Sequence, residues 1–267
     1  MMDLFQFAFM QRALIAGLLV GLLCAVVGVY VVHKGLSFMG AGIAHASFGG
    51  VALGAWLGIH PLLAAMGFCL AVGWSIAWLT LNTQVREDTA IGIFFASTMA
   101  LGILLLGLIE GYREDLFGYL FGSILSISRA DLWIIAGCAA AVLALLWWFG
   151  KELLFVIFDP EGAAASGISA RAHLYLLVTL VTLTVVVSLK VVGIVLVSAL
   201  LITPAAAASQ LSERFGRILL YAALIGVGST LSGLLLSYWW DTASGATIVM
   251  VVTAVFLAAS LLSWLRR

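Results

Sequence analysis

Charge is scarce in this chain: 9% of its 267 residues are Asp, Glu, Lys or Arg, while 64% are hydrophobic. The longest polar intervals, 111–131 and 150–171, are too short for a separate soluble domain. No G-x-x-x-x-G-K-[ST] loop occurs, so the chain cannot itself cradle ATP in the P-loop manner. H-E-x-x-H, G-x-S-x-G and paired intramembrane aspartates are also missing, which argues against a protease and against an enzyme generally. No series of Asp, Glu or His lies within the apolar runs as a proton relay requires. Formal net charge is zero without a basic cluster, so nucleic acid is not an expected partner. Cysteine is limited to Cys24, Cys69 and Cys138, in separate apolar runs without a CxxC, and these read as small packing residues.

What fills the chain is apolar sequence in lengths of about 20 residues, enough for a helix to cross a hydrocarbon core. Candidate spans are 12–32, 38–58, 61–81, 90–110, 132–149, 172–189, 191–209, 217–237 and 246–264. The window 191–209 contains Pro204 and is readable as a broken or partial crossing, so eight or nine spans are expected. The fold class is therefore all-α, a polytopic transmembrane bundle in a cell inner or plasma membrane; the short alternating strands of an outer-membrane barrel are excluded. Asp3 and the lack of a basic leader or small-x-small cleavage site imply that the first span is retained, after a short amphipathic lead. One set of loops and the C-terminus hold Lys34, Arg86, Lys151, Arg171, Arg214, Arg217, Arg266 and Arg267. The other set holds Arg12, Arg113, Arg129 and Lys190, so the first set is expected in the cytoplasm, and nine crossings put the N-terminus outside.

His45 is the candidate with most chemistry, because an ionisable residue at bilayer depth marks a functional site by default. Beside it Gly42, Ala46, Gly50, Gly54 and Gly58 recur at every fourth position, a small-residue stripe that invites close helix packing. His45 reads either as a pathway ligand or as a satisfied interface histidine, with Met39, Ser47 and Asp241 as further pathway candidates. His33, His60 and His173 fall at expected interfaces and read as solvated boundary residues. Asp3, Glu110, Glu114, Asp115, Asp131 and Asp241 against four bases give the outer side a small acidic surplus, readable as a draw for cations or as ordinary salt bridges and solvation.

In the interval 150–171, Asp159 is placed as an N-cap, Pro160 at a first helical turn, Glu161 in that turn and Gly167 at a C-terminal stop. This describes a short cytoplasmic helix, as a docking element or as an ordinary connector. Pro204 marks a candidate hinge, since proline removes a backbone hydrogen bond and loosens the preceding turn.

Seven segments in order resemble the membrane subunit of ATP-binding-cassette importers for zinc, manganese and iron. They are Phe9–Leu14, Gly35–Gly40 with Ala44–Ala46, Glu87–Ile93, Tyr119–Leu125, Asp159–Gly167, Val192–Ala205 and Asp241–Thr247. The resemblance implies one transmembrane permease domain over 1–267, with Asp159, Pro160, Glu161 and Gly167 in a coupling loop at about 150–171. It implies partners in a cytoplasmic ATP-binding subunit, an external metal-binding protein and a second copy of this chain. It also implies transport of zinc, manganese or iron as substrate, with no permanently bound cofactor. The family usually carries Gly-Asp-x-x-x-His in the second span; here Ala41 replaces the aspartate and His45 alone carries over. A permease for a metal chelate such as haem, cobalamin or a siderophore, and a membrane scaffold without transport, are the alternatives. The sequence does not distinguish among the metals.

Overall fold

The computed structural model describes residues 8–109, 122 and 127–265. The expectations placed on Asp3, Glu110, Arg113, Glu114, Asp115, the 119–125 segment (Gly122 apart), Arg266 and Arg267 lie outside the described residues. Among the described residues ten helices follow in chain order: α1 (Ala8–Lys34), α2 (Ser37–Leu57), α3 (Pro61–Asn82), α4 (Glu87–Leu108), α5 (Arg129–Phe158), α6 (Pro160–Ala165), α7 (Ala170–Val192), α8 (Val197–Leu211), α9 (Phe215–Trp240) and α10 (Ser244–Leu265). Among the described residues eight of these are long and apolar enough to cross a membrane, and α8 is a shorter apolar helix. The protein is a multi-pass membrane protein.

Tryptophan fixes its level in the bilayer. Exposed Trp56, Trp133, Trp239 and Trp240 stand at one end of the bundle, and exposed Trp78, Trp147, Trp148 and Trp264 toward the other. Two such girdles are where amphipathic indoles settle, at the two headgroup levels. Between them the exposed side chains are apolar, including Ile103, Leu104, Met250 and Leu257, as a lipid-facing surface requires.

Small residues set the helix contacts. Gly21 of α1 and Gly226 of α9 meet backbone to backbone, and Gly17 takes Leu234 against its Cα, so α1 and α9 run antiparallel. Gly28 of α1 receives the Leu201 carbonyl of α8, and Ala25 and Val29 pack with Ala205, Ala208, Ile218 and Ala222. On the other flank Gly50 and Gly54 of α2 lie against Ala65 and Ala64 of α3, while Gly42 and Gly49 face Ile91 and Thr98 of α4. The core helix is α7, whose run from Leu177 to Val192 is almost wholly buried and which touches α1, α2, α3, α5, α8 and α10. Its contact with α3 is close because Gly73 lets Val178 and Thr182 approach.

The predicted window 191–209 is indeed interrupted, and the interruption lies at Gly193–Leu196 rather than at Pro204. Gly193 adopts φ 90, ψ 160, a conformation open in practice only to glycine, and this ends α7. Pro204 sits buried within α8. The interval 150–158, read from sequence as loop, is the last two turns of α5, held because Leu153 and Val156 are buried against the bundle.

Candidate functional site

His45 lies in the third turn of α2, counted from the end that carries Lys34. Its Nδ1 stands 3.0 Å from the Ala41 carbonyl, one turn back. A carbonyl only accepts, so Nδ1–H is the donor and the neutral ring keeps its free lone pair on Nε2. That is the arrangement of most metal-binding imidazoles, in which the second nitrogen is anchored by a carbonyl or carboxylate. Ala41, where the resemblance to the importer family would place an aspartate, thus still contributes through its backbone. The ring leans on Phe95 of α4, with centroids 4.3 Å apart and planes tilted 40°. His45 is only partly buried, and Gly92, Ala96 and Ser97 of α4 are exposed nearby in sequence to Phe95.

The other pathway candidates are not gathered around it. Met39 is packed in the main core, and the buried Ser47 hydroxyl donates to the Ala44 carbonyl of its own helix. Asp241 caps α9 in a left-handed conformation (φ 51, ψ 47) at the opposite end of the bundle and is exposed. Among the described residues no group of three or more His, Cys, Asp or Glu is placed to hold a metal ion.

The small-residue stripe serves two neighbours instead of one. Four residues advance a helix by slightly more than a turn, so the stripe drifts around α2. Gly42 faces α4, Gly50 and Gly54 face α3, and Ala46 is fully buried. Gly58 has left the packing surface altogether: it caps α2 at φ 68 with open space where a Cβ would stand.

Helix α6 forms from the residues marked as its signals. An Asp159 carboxylate oxygen accepts from Gly162 N–H at 2.8 Å, and Pro160 occupies the first turn. At the other end Ile168 N–H reaches the Ala163 carbonyl and Gly167 N–H the Ala164 carbonyl, with Gly167 at φ 82. This is the Schellman closure, which needs a residue tolerant of positive φ. Ala163 is buried, while Glu161, Ala164 and Ala165 are exposed.

Two polar clusters were not legible beforehand. Asp131, 1% exposed, takes Lys190 Nζ at 2.7 Å and the Ser128 hydroxyl at 2.6 Å on one carboxylate oxygen. The other oxygen has no hydrogen-bond partner and lies 3.9 Å from His60 Nε2. The Ser128-x-x-Asp131 spacing is a capping-box signal, and the box is formed. His173, expected as a solvated boundary residue, is buried at 8% exposure, with Glu152 at 3.1 Å. A partly open cavity lined by Lys34, Glu87, Leu153 and Leu177 adjoins the ring.

With this geometry in place, comparison identifies relatives. Residues 6–263 match the ABC 3 transport family. The chain is 39% identical over 257 residues to the manganese transport system membrane protein MntC of Halalkalibacterium halodurans, covering 96% of this chain and 88% of that one. To the high-affinity zinc uptake system membrane protein ZnuB of Haemophilus influenzae it is 34% identical over 252 residues, covering 94% and 97%. The solved structure of PsaBC from Streptococcus pneumoniae in complex with Fab superposes with a TM-score of 0.87 at 37% identity, covering 97% of this chain and 93% of that one.

Proposed function

The chain belongs to the ABC 3 transport family, and we propose that it is the membrane permease of an ATP-binding-cassette importer that carries a divalent first-row metal ion, manganese, zinc or iron, into the cytoplasm. Relatives named for manganese and for zinc transport, matched along almost their whole length, favour an ion over a chelate as cargo. The observation that carries the proposal to the chemistry is His45, whose ring is anchored through Nδ1 and offers Nε2 as a lone-pair donor inside the membrane. An ion in transit is bound by few protein ligands, since a closed four-ligand site would retain it. One imidazole with solvent or a second copy completing the shell suits that requirement.

The remaining parts divide the work. ATP is hydrolysed by a separate cytoplasmic subunit that seats α6, the exposed short helix carrying Asp159, Pro160, Glu161 and Gly167. The metal arrives from an external binding protein at the end bearing Trp56 and Trp133. Two copies of this chain flank the path. The break at Gly193–Leu196, with Pro204 beyond it, supplies the give needed for the cavity to change sides.

Uptake of radioactive zinc and manganese into vesicles reconstituted with the complete transporter tests this reading. His45→Ala, with assembly and ATPase binding verified in parallel, is expected to abolish uptake. Normal uptake of both ions by His45→Ala would remove the imidazole from the path and restore the chelate reading.

A further inference from the structure

Helix α5 continues ten residues past Trp148, about 15 Å at 1.5 Å per residue, before it gives way to α6. Only Asp159 separates α5 from α6, and only Ser166–Ser169 separates α6 from α7. Helix α6 is thus the tip of a hairpin whose two stems are α5 and α7. A push on the tip moves the bundle only if the stems cannot spread.

Glu152 and His173 join the stems just behind the tip. His173 Nδ1 donates to the Ser169 carbonyl at 2.9 Å, and the Ser169 hydroxyl accepts from Ala172 N–H to cap α7. The ring therefore has a fixed orientation on the first turn of α7. Its Nε2 stands 3.1 Å from Glu152 Oε2, and Phe149 of α5 presents an edge contact at 6.5 Å between centroids. The His173 side chain is 10% exposed and that of Glu152 is 47% exposed, so one partner is held in the bundle and the other reaches in from the stem.

At the far end the same two helices are joined again, by Lys190 of α7 and Asp131 of α5 at 2.7 Å. Three residues beyond Lys190, α7 ends at the Gly193 break. A displacement entering at α6 is carried along a doubly tied pair of helices to the break at Gly193–Leu196.

We propose that Glu152 and His173 are positioning residues for energy coupling: their contact clips the two stems of the α6 hairpin so that ATPase movement is delivered into α7. The inference rests on the reading of α6 as the ATPase contact. The clip touches neither metal nor nucleotide, and it acts by keeping α6 in fixed register with α7.

The test uses the full transporter in vesicles and measures ions imported per ATP hydrolysed. Glu152→Ala and His173→Leu should each lower that ratio about fivefold, the low end of measured site-to-site coupling, while the ATPase still co-purifies. The double variant should be no worse than either single, as for two residues acting through one contact. His173→Lys, which keeps a hydrogen-bond donor toward Glu152, should recover most of the ratio; a purely packing role for the ring predicts no recovery. Glu152 is half-exposed, so its removal leaves the bundle able to fold. Unchanged ratios in both single variants, with Glu161→Arg on α6 uncoupling the transporter, would overturn the clip and leave the α6 reading standing. If Glu161→Arg also leaves ATPase binding and the ratio unchanged, the α6 reading falls and the clip falls with it.

Discussion

Gly226 and Gly228 stand two residues apart on α9 and offer a controlled test of how closely α1 and α9 pack. A methyl group at Gly226 would lie 2.5 Å from the Gly21 carbonyl oxygen and 2.6 Å from the Ala25 Cβ, short of ordinary contact by close to an ångström. Both obstacles belong to a helix backbone or to its first side-chain atom, so neither can rotate away. At Gly228 nothing lies within 4 Å of the same methyl. Each Gly→Ala change gains helix propensity worth about 1 kcal/mol, and that gain is common to both. Overpacking a fitted contact costs about 1–3 kcal/mol. Gly226→Ala should therefore lose up to about 2 kcal/mol net, read as a fall of about 5 °C in the apparent melting temperature of detergent-solubilised protein. Gly228→Ala should hold or gain. Equal melting temperatures for the two variants would mean that α1 and α9 do not meet through Gly21 and Gly226, and the antiparallel seating of the two helices would have to be redrawn.

Asp131→Ala takes away the carboxylate that holds Lys190 at 2.7 Å and caps α5 through Ser128, and losing one partner of a buried pair costs about 3–5 kcal/mol; monodisperse protein should be lost on size exclusion. A variant Asp131→Ala that behaves as wild type would show that the pair is dispensable. Gly193→Ala forces a side chain into φ 90, ψ 160, at about 1–3 kcal/mol. Transport should suffer more than folding if α7 must end there to move, and wild-type uptake by this variant would place the moving joint elsewhere.

The parts of the fold that were legible in sequence are those governed by solvent. Eight of the nine apolar windows correspond to helices long enough to cross a membrane among the described residues, and the ninth to the shorter apolar α8, because a backbone in lipid has to satisfy its own hydrogen bonds. The α6 signals were legible for a similar reason, since Asp159, Pro160 and Gly167 act through their own backbone neighbourhood. What escaped depends on rotation and depth. The stripe from Gly42 to Gly58 reads as one surface on paper, yet its drift around α2 divides it between α4, α3 and a helix cap. The end of α5 escaped because Lys151 and Glu152 resemble the start of a loop, while Leu153 and Val156 keep the helix packed for two further turns. His45 was legible as a residue in the wrong solvent. Its tautomer was not, because that depends on the Ala41 carbonyl and not on the identity of residue 41.

Charge placement then explains how such an apolar protein can move as a unit. Three contacts to acidic side chains fall on α5: Lys190 at 2.7 Å and His60 at 3.9 Å from Asp131, and His173 at 3.1 Å from Glu152. Both helices of the α5–α7 pair are therefore pinned near their two ends, while the middle of α7 is sealed by Val178, Val181 and Val185 in the core. Apolar contacts are non-directional, so they tolerate sliding of one helix past another, and the two polar ties restrict that freedom along the α5–α7 seam; Trp74 of α3 on the Thr179 hydroxyl and Cys24 of α1 against Ser188 hold α7 from two further sides. The α1–α9 and α2–α3 seams are built mainly from glycine and alanine contacts, with the Cys69 thiol of α3 on the Ile43 carbonyl of α2 at 3.7 Å across the second. On the reading of α6 as the ATPase contact, a force applied there travels through the tied α5–α7 pair to Gly193, where α7 ends and the chain can bend without breaking the Asp131–Lys190 contact.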